Sequence, residues 1–355
     1  MKLPSLIIGN LKAKLPIIQG GMGIGISLSG LASAVAREGG IGIISGVGIG
    51  FRESDFSVNS KEANIRALKK EIVKAKTLSS NGIIGVNILT ASNEYEELVT
   101  TASQCEADLI ICGAGLPTNL PALVKNKITK LIPIVSSGKA ASIITKLWKR
   151  KYNYIPDALI VEGPKAGGHL GFSKEDLFRE DKKLENILEE VIKAIKPFEE
   201  EAKRSIPIIA AGGIFHGSDI PKFLKLGASG VQMGTRFVAT EECDAHIKFK
   251  RAYINSKKED LDIVISPVGM PGRAIKNSFI NSIKNENLPI DKCYRCLSHC
   301  NPKTAPYCIS KALINSANGN LDEGLIFCGE NAYRLKEIVP VKDLIQTLLI
   351  EAEEN

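Results

Sequence analysis

Of the four histidines in this chain, His169 stands behind a short apolar run, Ala158 to Val161, in a stretch that also holds Gly163, Pro164, Gly167, Gly168 and Gly171. An unbroken apolar run of that length suits a strand covered on both faces. Glycines at that density mark a loop that turns tightly or lies against a flat ligand. An imidazole set into such a loop can hold or move a proton near neutral pH, and a strand end floored by backbone is a common reaction centre. The alternative is a solvent-facing loop histidine, and the glycines argue against it.

A second reactive group is Cys293, Cys296, Cys300 and Cys308, half of the eight cysteines, with His299 beside them. Their spacing suits zinc or an iron–sulfur cluster, and equally a loop of reduced thiols packed against the rest of the fold, so no metal is assigned. Cys105, Cys112, Cys243 and Cys328 are isolated and read as ordinary buried residues.

The elements that must position these groups alternate regularly. Pro16 to Gln19 reads as a strand, Gly20 to Gly23 as a glycine loop, and Leu28, Leu31, Ala32, Val35 and Ala36 as one buried helical stripe ended by Gly39-Gly40. Further strands are expected at Ile41 to Ser45, Ile83 to Ile88, Asp108 to Cys112, Leu131 to Val135, Ala158 to Val161, Pro207 to Ala210 and Gly230 to Met233. Helical patterns lie between them, for example at Lys61 to Leu78, Ala140 to Lys149 and Leu184 to Ile195. Eight apolar strands, each followed by a helix, point to an α/β fold of the (β/α)8 TIM barrel type. A doubly wound sheet is the competitor, and the lack of a topological break favours closure. The barrel is expected over residues 1–240. Residues 241–355 form a C-terminal helical and loop extension packing on it, with a helix at Asp244 to Asn255, a Gly/Pro loop at Ser266 to Arg273 and a last amphipathic helix through Val341 and Leu349.

The 355 residues suffice for one barrel plus an extension. The net charge of +7 is spread along the chain, and with 5% aromatics no basic stripe is interleaved with rings, which argues against nucleic-acid binding. No run approaches the ~18 apolar residues that cross a bilayer, and Leu3 to Ile8 is too short for a signal peptide. A cytoplasmic protein without membrane contact is expected.

In such a barrel the site lies at the C-terminal strand ends, with phosphate held after strands seven and eight. Those loops read Ala210-Ala211-Gly212-Gly213-Ile214 and Gln232-Met233-Gly234-Thr235-Arg236. Glycine backbone N–H groups, a hydroxyl and a helix start are suited to phosphate oxygens. No Gly-x-Gly-x-x-Gly fingerprint follows a strand, and Gly138-Lys139 lacks the earlier glycine of a P-loop.

Together Gln19 to Gly23, Gly85-Val86-Asn87, Glu162 to His169, Ala211 to Ile214 and Gln232 to Phe237 resemble the nitronate monooxygenase family, formerly 2-nitropropane dioxygenase, which shares its FMN barrel with a flavin-type enoyl-acyl-carrier-protein reductase. The resemblance spans roughly residues 4 to 240. It implies an FMN-dependent oxidoreductase that oxidises alkyl nitronates with O2. Gly21, Met22 and Gly23 would lie along the flavin, Asn87 would bond its ring edge, and Gly167 would lie nearby. Gly213, Gln232, Met233, Gly234 and Thr235 would take the phosphate. His169 falls on the family's active-site histidine and would orient the anion, as a hydrogen-bond donor or as imidazolium. Glu162 stands near the flavin where the family usually has Gln, so it must be protonated or paired, for example with Lys165. Two alternatives remain: an NAD(P)H-dependent reductase of enoyl thioesters or quinones, and a non-catalytic flavin-binding electron-transfer module.

Overall fold

A computed structural model describes residues 3–354. Eight parallel strands close into a barrel: β1 (Ile17–Gln19), β2 (Ile41–Ser45), β3 (Ile83–Leu89), β4 (Leu109–Gly113), β5 (Lys130–Val135), β6 (Leu159–Glu162), β7 (Ile208–Ala211) and β8 (Gly230–Met233), with β8 returning to pair with β1. The TIM barrel expected from the alternation is therefore the architecture present. Each strand is followed by a helix, from Ser29–Arg37 after β1 to the short Thr235–Val238 after β8.

Side-chain alternation divides the apolar residues into two layers. One set, including Ile18, Ile43, Ile111, Ile132, Ile160 and Ile209, fills the barrel. The other, including Val86, Ile110, Val161, Val231 and Met233, packs outward against the helices. The lead-in before β1 is more than a tail, because Leu6–Ile8 and Leu11–Ala13 form an antiparallel hairpin. Leu6, Ile8 and Ala13 join the inner cluster, so the hairpin buries apolar surface that would otherwise meet water.

Local chemistry sets the helix ends. Gly138–Tyr152 starts at Ser137, whose Oγ accepts the N–H of Ala140 at 3.2 Å, and stops at Asn153 in the left-handed region. Ser29–Arg37 has no acidic residue in its first turn. Its N-terminus is capped instead by Asp244, whose carboxylate accepts the N–H groups of Leu28 at 2.7 Å and Leu31 at 3.1 Å. A residue beyond the barrel thus completes the first βα unit.

The region after β8 departs from the sequence expectation at two points: the helix expected from Asp244 begins only at Ile247, and part of the expected loop is a strand. Within the expected loop Ser266 to Arg273, Pro271 starts a strand, β10 (Pro271–Ile275), paired antiparallel with β9 (Leu261–Ile265). The Gly/Pro signal belongs to the turn alone, where Gly269 has φ +78° and Ser266 N–H reaches Met270 O at 2.9 Å. The last helix, Val341–Glu353, packs on Ser29–Arg37, Asp219–Lys225 and Thr235–Val238. Val341, Leu344, Ile345 and Leu348 belong to the same outer core as the barrel helices.

Candidate active site

The C-terminal strand ends open into a cavity of about 260 Å3. Alternation decides which side chains reach it. Val161 packs outward, so Glu162 turns in; Val86 and Ile88 pack outward, so Asn87 turns in; Val231 and Met233 pack outward, so Gln232 turns in. Gly21, Met22, Gly23, Gly167, His169, Gly213, Gly234 and Thr235 also line the cavity. Residues from five strand ends, those of β1, β3, β6, β7 and β8, are thus brought to one place. Met233 is the exception among the expected site residues. Its side chain is fully buried in the outer core, leaving only backbone for the site, and its carbonyl already accepts the N–H of Gly20 at 2.9 Å.

His169 is held by pairing the short strand Gly168–His169 with Gly272 and Arg273 of β10. Its ring meets Phe327 edge-on at 5.3 Å, and its Nε2 is buried without a hydrogen-bond partner. Burial pushes the imidazole down to about 4, so near neutral pH the ring is uncharged. It can donate or accept a proton at one nitrogen, and the imidazolium form expected as an alternative is disfavoured.

Glu162 is half-buried, and desolvation pushes its carboxyl up to about 7. The pairing considered with Lys165 is not formed. Lys165 Nζ lies 3.8 Å from Glu330 instead, and no hydrogen bond or ion pair reaches the Glu162 carboxyl among the described residues.

The floor is backbone. A Cβ on Gly21 would lie 2.4 Å from Asn87 Cβ, so only glycine lets that loop approach β3. Gly213 has φ +89°, and a Cβ there would lie 2.8 Å from Lys165 Cβ. The N–H groups of Gly213 and Gly234 find no acceptor among the described residues, and Gln232 Oε1 is buried without a donor. Unpaired buried polar groups are costly in a finished fold. Donors at Gly213 and Gly234, a free amide oxygen and a free imidazole nitrogen around one glycine-walled cavity fit a flat cofactor ending in phosphate.

The extension supplies the remaining wall through Tyr253, Leu313, Phe327, Cys328, Gly329, Glu330 and Asn331. Asn331 Nδ2 donates to Gly213 O at 2.7 Å, and Glu330 N–H reaches Lys165 O at 3.2 Å. Arg273 is buried and donates to the carbonyls of Pro164 at 3.0 Å and Ala166 at 2.6 Å, pinning the loop that carries Gly167 and His169. Tyr253 Oη donates to Phe327 O and fixes the segment facing the histidine. None of these residues is marked out by sequence reasoning: Phe327 to Asn331 lie in a segment without periodicity, and although Tyr253, Leu313 and Arg273 sit in helices and a strand, their contacts with the site join distant parts of the chain. A lone arginine in an apolar strand, Pro271–Ile275, is the one local signal that could have drawn attention.

The family model described as nitronate monooxygenase matches residues 5–351. A probable nitronate monooxygenase of Staphylococcus aureus is 29% identical over 310 residues, covering 77% of this chain and 78% of the relative. A 5-hydroxy-7a-methyl-1-oxo-octahydro-1H-indene-4-carboxyl-CoA dehydrogenase of Rhodococcus jostii is 26% identical over 270 residues, or 76% of this chain. That match spans 65% of the relative's length. Among solved structures, FabK from Thermotoga maritima superposes with a TM-score of 0.74 at 28% identity, covering 96% of this chain and 94% of that one. No helix among the described residues is long and apolar enough to cross a membrane.

Proposed function

Because the chain belongs to the nitronate monooxygenase family of flavin-dependent oxidoreductases, we propose that it binds FMN in the cavity above β1–β8 and oxidises a small alkyl nitronate with O2. The observation that carries this reading is the neutral His169, whose buried Nε2 has no partner, in the wall of the glycine-lined cavity on which the family's flavin motifs converge.

When bound, FMN supplies the electron acceptor and the reaction with O2. The chain supplies placement. The N–H groups of Gly213 and Gly234, the Thr235 hydroxyl and the Gln232 amide would hold the phosphate end, and Asn331 keeps the Gly213 loop in position from outside. The loop Gly21-Met22-Gly23, Asn87 and Gly167 would lie along the ring system. A nitronate is already an anion, so the site needs a donor more than a strong base. His169 in its Nε2–H tautomer would donate to a nitro oxygen and hold the anion against the flavin. Glu162 fits that role only while protonated, since a carboxylate would repel both the anion and reduced flavin.

A second reading, a reductase of enoyl thioesters using NAD(P)H, is favoured by the apolar wall of Tyr253, Leu313 and Phe327 and by similarity to the carboxyl-CoA dehydrogenase and FabK. In that case His169 would deliver a proton after hydride transfer.

Anaerobic spectra of the purified protein test both. Bleaching of the flavin by a nitronate but not by NADPH supports the first reading, and rapid bleaching by NADPH alone supports the second. A protein that binds no flavin refutes both.

A further inference from the structure

We propose that Cys293, Cys296, Cys300 and Cys308 form the binding site of an iron–sulfur cluster beside the active-site wall. All four line one cavity of about 370 Å3, separate from the active-site cavity. Cys296 and Cys300 pack on the apolar cluster that holds Tyr307 and Ile309, the residues on either side of Cys308.

The backbone around them is fixed from outside. Residues 286–308 contain no helix or strand, yet Asn93 N–H reaches Cys296 O at 3.3 Å, Ser298 N–H reaches Ala91 O at 2.9 Å, and Tyr294 stacks on Phe56 at 5.4 Å. Between the first two cysteines Arg295 takes the left-handed conformation, with φ 49°, and its N–H points at Cys293 Sγ at 3.4 Å. A backbone N–H aimed at sulfur is the kind of outer contact that steadies a metal-binding cysteine.

A single zinc needs four sulfurs about 2.3 Å from one point, whereas these four cysteines line a cavity of about 370 Å3. In a [4Fe–4S] cluster each iron takes its own thiolate, which places the ligands around a volume and not around a point. Four thiols distributed over the wall of one cavity match that demand. The site also bears on the active centre. The helix Ile309–Ala317 leaves directly from Cys308 and carries Leu313 to the active-site wall, about 7–8 Å further on at the rise of an α-helix.

The test uses the full chain, prepared anaerobically and reconstituted with ferrous iron and sulfide. Iron and acid-labile sulfide should appear in equal amounts, about four of each per chain, and reduction with dithionite should give a low-temperature paramagnetic signal distinct from a flavin radical. Cys300→Ser and Cys308→Ser should each lose more than half of the iron, whereas Cys105→Ser, far along the chain, should keep it. One zinc per chain without sulfide, or no iron retained after reconstitution of the wild type, overturns the proposal. Since the wild type alone decides, a variant that fails to fold leaves the test intact.

Discussion

Replacing Glu162 by Gln should remove a pH dependence of stability that the wild type carries. The carboxyl has an ordinary value of 4.5 and is pushed to about 7 in the fold by burial. As pH rises from 4.5, the unfolded chain releases this proton first while the folded chain keeps it. The stability associated with the protonated group is therefore full below 4.5 and is lost as pH rises through 7. At about 1.4 kcal/mol per unit, moving from pH 5.5 to 8 should cost the wild type up to about 2 kcal/mol relative to Glu162→Gln, and water in the cavity will reduce that figure. Urea unfolding of both proteins at the two pH values measures it. A parallel effect is expected on turnover of an anionic substrate: two like charges roughly 6–8 Å apart at an effective dielectric near 20 repel by about 2–3 kcal/mol. Wild-type flavin reduction by nitronate should fall as pH passes 7, and that of Glu162→Gln should stay level. If the stability difference between the two proteins is the same at pH 5.5 and pH 8, the carboxyl is ionised throughout and the desolvation argument fails.

His169→Ala should retain fold and flavin, but flavin reduction by nitronate in stopped flow should slow by ~10²-fold, the usual loss for one pre-placed donor. If NADPH reduction is normal and only the oxidative half-reaction stalls, the thioester reading gains. Thr235→Ala combined with Gly213→Asp should empty the flavin site, because it removes a hydroxyl and sets a carboxylate where phosphate would lie; unchanged flavin content after gel filtration contradicts the phosphate assignment. Arg273→Met should leave the carbonyls of Pro164 and Ala166 without their donor and destabilise the protein by roughly 2–4 kcal/mol. Denaturant midpoints would show the loss, and an unchanged midpoint would mean that water replaces the guanidinium.

Much of this protein is legible in the chain itself, for local reasons. Eight apolar runs separated by helical stripes dictate a barrel, because strands covered on both faces need helices outside and side chains within. The phosphate-type glycines stand at strand ends, where backbone must turn, so Gly213, Gly234 and His169 could be picked out by position and type alone. Alternation even settles why Gln232 and Glu162 face the cavity while Met233 does not, although only the closed barrel says which face is which. What lay beyond the sequence is whatever depends on contacts across long chain separations. Asp244 caps a helix at Leu28, Arg273 holds the carbonyls of the loop before His169, and Asn331 holds Gly213. Such contacts join residues far apart in the chain and arise from where the folded barrel places distant segments. For the same reason the choice between a protonated and a paired Glu162, and between a neutral and a charged His169, was beyond reach, since burial in the folded chain decides both.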